Sequence, residues 1–224
     1  LLTEKYKIST WLMLEKELAL SQAELGFIPK EAAENIALNC DIEKIDLEEV
    51  YRIKEKIGHG FMPLIKVLVK NCDELGGKYV HYGCTTQNIQ QTGQLYIVKE
   101  VTKVFKSFLA DILKNLSKIA LENKDTVMPG RTHGRHATPI TYGYKVSVWI
   151  SEIINNIERL EESEKRIYQV MMGGAVGCYS AVGEIGPKVQ ELVAKKIGMN
   201  YMRVPSRNIC THKLEYIMNM QLIC

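Results

Sequence analysis

Five histidines, His59, His81, His133, His136 and His212, are the side chains of this sequence best suited to acid–base work near neutral pH. An unperturbed imidazole titrates at about 6.5, so it can hold or give a proton there. Four of the five adjoin glycines at breaks between apolar-periodic segments. His59 lies in Gly58-His59-Gly60, His81 precedes Tyr82-Gly83, and His133 and His136 flank Gly134. One loop histidine alone is usually just a solvated side chain. Four near helix ends, beside Thr85, Thr86, Gln87, Arg131 and Thr132, point to a site. Such a set offers imidazole, hydroxyl, amide and guanidinium donors to an anionic ligand from a rigid frame. Metal is the poorer reading. His133-x-x-His136 has no carboxylate beside it, and Pro129, Gly130 and Pro139 spoil a helical register. Cys72, His81 and Cys84 lack a fourth ligand and paired spacing. Gly173-Gly174-Ala175-Val176-Gly177 has neither the lysine nor the preceding strand of a phosphate loop.

The elements that must position these groups read as helices. Thr3 to Leu25 forms an amphipathic stretch with Trp11, Leu14, Leu18 and Ala23 near one face, stopped by Gly26 and Pro29. Asp46 with Glu49 makes a capping pair ahead of Val50, Ile53 and Ile57. Gly58-His59-Gly60 ends that helix, and Pro63 suits the first turn of the next. No glycine or proline falls between Gly93 and Pro129, where Ile97, Val101, Val104, Phe108, Ile112, Leu116 and Ile119 form a seam. A second such stretch runs from Tyr144 to Met172, through Val146, Ile150, Ile153, Ile157, Leu160, Ile167 and Met171. Each would exceed ~40 Å, the scale of a long bundle rather than an ordinary globular helix. A last helix starts near Arg207. Period-2 alternation and Asn-Gly or Asp-Gly turns are missing, so strands are not expected. The expected fold is all-α: an N-terminal helical domain over residues 1–82, then a long-helix bundle over 83–224 that is incomplete at its C-terminal end. Exposed seams on such helices predict a homo-oligomer.

Composition narrows the function classes. The 224 residues are 46% hydrophobic and 25% charged, which suits a globular chain with a sizeable core. The formal charge is only +3 with no basic block, so neither nucleic acid nor an anionic membrane is the expected partner. No apolar run approaches the ~18–20 residues of a membrane helix, and no signal-peptide pattern opens the chain. The six cysteines are scattered, which reads as free, mostly buried thiols in a reducing cytoplasmic setting. The chain opens on Leu1-Leu2-Thr3 without an initiator Met and stops mid-pattern at Cys224, which reads as truncation.

Three segments resemble the fumarase/aspartase superfamily, and within it the adenylosuccinate lyase branch. His81-Tyr82-Gly83-Cys84-Thr85-Thr86-Gln87-Asn88-Ile89 is similar to the family's His-x-Gly-x-Thr-Ser-x-Asp segment. Gly130-Arg131-Thr132-His133-Gly134-Arg135-His136-Ala137-Thr138-Pro139 resembles its Gly-Arg-Thr-His-Gly-x-x-Ala-x-Pro pattern, the most specific of the three. Gly174-Ala175-Val176-Gly177 resembles its turn after the second long helix, and Glu15-Lys16-Glu17-Leu18-Ala19-Leu20 and Gly26-Phe27-Ile28-Pro29 also fit. The resemblance implies a homotetramer with active sites shared between subunits, a small-molecule substrate, no metal or organic cofactor, and β-elimination of fumarate. By the same resemblance His133 is the proton donor, with Thr132 and Arg131 beside it. Thr85 and Thr86 grip a substrate carboxylate, and Gln87 is a further substrate-binding residue. His59 and His81 assist near the phosphate or the leaving nitrogen, and Asn208 takes the place of a substrate-contacting glutamine.

Some positions depart from that pattern. Thr86 stands for serine, Asn88 and Gln91 stand for aspartates, and His212-Lys213 stands for an Arg-Asp pair. The family's serine-bearing mobile loop and its N-terminal Arg-Tyr segment are not among these residues, so the 224-residue chain alone is expected to be inactive. The rivals are argininosuccinate lyase, a carboxymuconate cycloisomerase-like enzyme, or a helical scaffold without catalysis.

Overall fold

The computed structural model describes residues 1–205 and 211–223. Its elements in chain order are α1 (Glu4–Glu24), α2 (Lys30–Asn39), α3 (Leu47–Ile57), α4 (Met62–Asn71), α5 (Glu74–Gly77) and α6 (Thr86–Glu122). Strands β1 (Val127–Thr132) and β2 (Arg135–Thr141) follow, then α7 (Tyr142–Ile167), β3 (Gln169–Val170), α8 (Gly186–Lys196), β4 (Asn200–Tyr201) and α9 (Thr211–Ile223). The fold is mainly α, as the sequence predicts. Among the described residues no helix is long and apolar enough to cross a membrane.

The chain divides into two compact units, Leu1–Lys99 with Tyr168–Cys210, and Glu100–Ile167 with Thr211–Cys224. The first is built on caps the sequence announces. Thr3 Oγ1 accepts from the Tyr6 amide at 3.2 Å to start α1. Asp46 Oδ1 accepts from the Glu49 amide at 3.0 Å to start α3, and Gly58 ends α3 at φ 65°. The core of this unit gathers Leu12, Leu14 and Leu18 of α1, Phe61, Leu64 and Leu68 around α4, Ile89 of α6, and Val189 and Val193 of α8. Gly93 is needed where α1 meets α6, since a Cβ there would lie 2.9 Å from Trp11 Cδ1.

In the second unit, Lys106 of α6 pairs with Glu161 at 2.8 Å and Glu164 at 3.1 Å on α7. Arg166 of α7 pairs with Glu215 of α9. Gly143 lets the start of α7 lie against the end of α6: its amide donates to Asn123 O at 2.9 Å, and a Cβ would meet Ala120 O at 2.4 Å.

Three expectations are corrected. Residues 127–141 form an antiparallel hairpin, where no strand was expected. The second long helix ends at Ile167, not Met172, because the backbone there finds other partners. Asn200 N donates to Tyr168 O, Met202 N to Val170 O, Met171 N to Thr92 Oγ1, and Met172 N to Gln190 Oε1. On α6 the buried face runs through Leu95, Thr102 and Leu109. The expected seam instead leaves Val104 at 44%, Phe108 at 60% and Ile112 at 44% exposed in the single chain. The 37 residues of α6 span about 55 Å, beyond the expected ~40 Å, while the 26 of the shortened α7 span about 39 Å and fall just short of it. The expected start of the last helix near Arg207 lies outside the described residues.

Candidate functional site

The first unit carries His59, His81, Thr85, Thr86 and Gln87, the last three at the start of α6. Thr85 and Thr86 are half-buried at that helix's N-terminus, where the helix dipole favours an anion. Asn88 fixes this end. It is buried, and its Oδ1 accepts from the Thr85 amide at 3.0 Å and from the Gly174 amide at 3.0 Å. One side chain thus ties the Thr85-Thr86 turn to the glycine loop that follows β3. Its Nδ2 has no partner among the described residues. Gln87 Nε2 donates to Gln91 Oε1 at 3.2 Å, so both departures from aspartate act as neutral hydrogen-bonding groups.

His59 and His81 both neighbour Phe61, one at its backbone and one at its ring. His59 Nδ1 accepts from the Phe61 and Met62 amides at 3.1 and 3.0 Å, capping α4 and leaving Nε2 as the proton-bearing nitrogen. The His81 ring lies 5.5 Å from the Phe61 ring, and its Nδ1 lies 2.6 Å from Glu15 Oε1. His81 adopts φ 59°, in the left-handed region. A cavity of about 440 Å³ opens beside His59, lined by Tyr51, Lys54, Glu55, Gly58 and Gly60.

The second unit carries Arg131, Thr132, His133 and His136 on the β1–β2 hairpin. Thr132 pairs with Arg135, so His133 and Gly134 form a two-residue loop, with φ 49° and 75°. Two left-handed residues are what a type I′ hairpin turn demands. His133 therefore stands exposed at the tip, with Arg131 and Thr132 on the strand leading to it. His136 faces Arg131 across the ladder. Among the described residues no three His, Cys, Asp or Glu side chains converge on one point. Asn208 lies outside the described residues.

Glu15 is the site residue the sequence reading did not single out. It sits between Trp11 and Leu18 at helical spacing, on the stripe that faces the core. A carboxylate on an apolar stripe was the available signal.

A family model described as lyase matches residues 2–221. The adenylosuccinate lyase of Methanocaldococcus jannaschii is 38% identical over 206 residues, 92% of this chain and 45% of that one. The N-acetyl-S-(2-succino)cysteine lyase of Dickeya dadantii is 31% identical over 198 residues, 88% of this chain and 43% of that one. The crystal structure of a fumarate lyase from Mesorhizobium sp. BNC1 superimposes with a TM-score of 0.93 at 30% identity, over 99% of this chain and 52% of that one. The chain spans less than half the length of these curated relatives.

Proposed function

Because the chain belongs to the lyase family of the fumarase/aspartase superfamily, we propose that it is part of an enzyme that eliminates fumarate from a succinylated nitrogen compound. The substrate we assign is adenylosuccinate, with AMP as the second product. The observation that carries the reading is the placement of His133 on a two-residue turn, exposed and flanked by Thr132. A base removes the proton from the carbon beside one substrate carboxylate. The C–N bond then breaks, its electron pair leaves on nitrogen, and the His133 imidazolium returns a proton to that nitrogen. Thr85 and Thr86, at the N-terminus of a 37-residue helix, hold the carboxylate on which negative charge builds. Arg131, Gln87, His81 and His59 hold the remaining anionic groups. We assign no residue of this chain as the base.

The exposed apolar side chains of α6, with Leu214, Ile217, Met218 and Leu222 of α9, support assembly into a homotetramer through the long helices. The free thiols Cys40, Cys72, Cys84 and Cys178 support a cytoplasmic setting. The similarity to a succinylcysteine lyase favours one second reading, in which the leaving atom is sulfur.

The test is ultraviolet detection of fumarate from the intact protein given adenylosuccinate, argininosuccinate or N-acetyl-S-(2-succino)cysteine. Fumarate from adenylosuccinate is expected. His133→Asn keeps a residue tolerant of the left-handed turn and should lower kcat by ~10²–10⁴ with unchanged folding. Near-normal turnover in that variant, or fumarate from none of the three substrates, overturns the assignment.

A further inference from the structure

Glu15 is 1% exposed, on the face of α1 that also buries Trp11, Leu14 and Leu18. A carboxylate in such surroundings is costly unless it is paired. Its polar partner among the described residues is His81, which reaches it from 66 residues away at 2.6 Å, and His81 sits in a left-handed conformation. Two unfavourable features, a buried charge and a strained backbone, are thus retained at one contact. Each partner also keeps a buried atom with no hydrogen bond among the described residues: Glu15 Oε2 and His81 Nε2. The Phe61 ring packs beside the imidazole, centroid to centroid at 5.5 Å.

We propose that Glu15 is a positioning residue: it grips His81 by Nδ1 and so directs Nε2–H, as a fixed donor, to a carboxylate or phosphate of the ligand held at the start of α6. The class of ligand rests on the lyase reading above; the pair does not. Burial pushes the imidazole pKa down, but the Glu15 charge and hydrogen bond push it up further, and the net direction is up. The cationic form, with a proton on each ring nitrogen, is therefore favoured. Nδ1–H is taken by Glu15, and an anion supplies the acceptor that Nε2–H lacks. The titratable neighbours of the pair are Cys84 and Cys40, whose pKa values are raised by burial first and by Glu15 second, so both remain neutral thiols.

The experiment is a pH titration of the His81 ring nitrogens by NMR in wild type, Glu15→Gln and Glu15→Asp, repeated with inorganic phosphate and with succinate. In wild type His81 should titrate above the ordinary value, and Nε2 should shift on adding either phosphate or succinate. Glu15→Gln, which preserves shape, should lower that titration and abolish the anion response; Glu15→Asp should restore part of both. In the active protein Glu15→Gln should raise KM for the succinyl substrate about ten- to a hundredfold with little change in kcat, as losing a charge-assisted bond implies. A His81 titration unmoved by Glu15→Gln, or a wild-type Nε2 indifferent to both anions, overturns the proposal even in a protein that turns over adenylosuccinate. An anion response without any turnover overturns the lyase reading and upholds the pair. If Glu15→Gln does not fold, the wild-type titration and anion response still decide it.

Discussion

Replacing Asn88 by Ala should detach the glycine loop from the start of α6, and the structure sets the size of the effect. Asn88 Oδ1 accepts from two backbone amides, Thr85 and Gly174, each at 3.0 Å. The Gly174 amide is buried and donates to this oxygen, so orphaning it costs about 1–3 kcal/mol. The Thr85 amide is only partly buried, and water can replace the lost acceptor, for about 0.5–1.5 kcal/mol. Against this, wild type already buries Asn88 Nδ2 without a partner among the described residues, and its removal returns about 1 kcal/mol. The net loss is about 1–3 kcal/mol. Urea denaturation should show a lower midpoint at unchanged slope, and hydrogen exchange at the Gly174 amide should quicken about five- to a hundredfold. Asn88→Asp keeps both acceptors and adds negative charge at a helix N-terminus, so it should preserve Gly174 protection. An unchanged midpoint with unchanged Gly174 exchange in Asn88→Ala would refute the claim that this side chain joins the two segments.

Gly143→Ala should destabilise by roughly 1–3 kcal/mol although alanine is the better helix former, because its Cβ would meet the backbone of Ala120, Asn123 and Lys124; a stabilised variant in thermal melts would contradict the close approach. His81 has a raised folded-state pKa, so its contribution to stability is fully present below its ordinary 6.5 and is lost as pH rises through the folded value. Urea midpoints measured upward from pH 6 should therefore fall more in wild type than in Glu15→Gln, and parallel profiles would count against the ion pair. His59→Ala should cost about 1 kcal/mol by uncapping α4, and His59→Asp should recover that stability without recovering turnover; if both properties return together, His59 serves the fold alone.

Much of this architecture is legible in local sequence. Thr3, Asp46, Gly26 and Gly58 announce helix ends because caps and left-handed glycines act within a few residues of themselves. The unbroken run after Gly93 likewise announces α6. What escaped depends on distant partners or on unusual residues in ordinary roles. The β1–β2 turn is His-Gly rather than Asn-Gly, and Pro129 faces Pro139 in the ladder. Proline is tolerated there because the two-stranded ladder leaves outward-facing edges that need no N–H donor. The end of α7 is set by Thr92 and Gln190, 79 and 18 residues away from the amides they satisfy. The buried face of α6 was obscured because polar Thr102 sits in its middle while larger apolar groups lie outside it. Among the candidate residues, Thr85, Thr86 and His133 stand out by residue type and by the resemblance of their segments to the family pattern. Glu15 does not, since its meaning depends on a histidine 66 residues later.

The His133–Gly134 turn also bears on how this position can drift. A backbone held at φ 49° penalises most side chains, histidine among them, and is most comfortable for glycine or asparagine. Mutation to either residue would relax the hairpin rather than harm it. Selection for stability alone would therefore erode the histidine, and a deep mutational scan scored on abundance should prefer asparagine or glycine there, whereas one scored on growth that depends on the enzyme should reject both. Under the role proposed for His133, abundance and growth would therefore favour different residues at this turn.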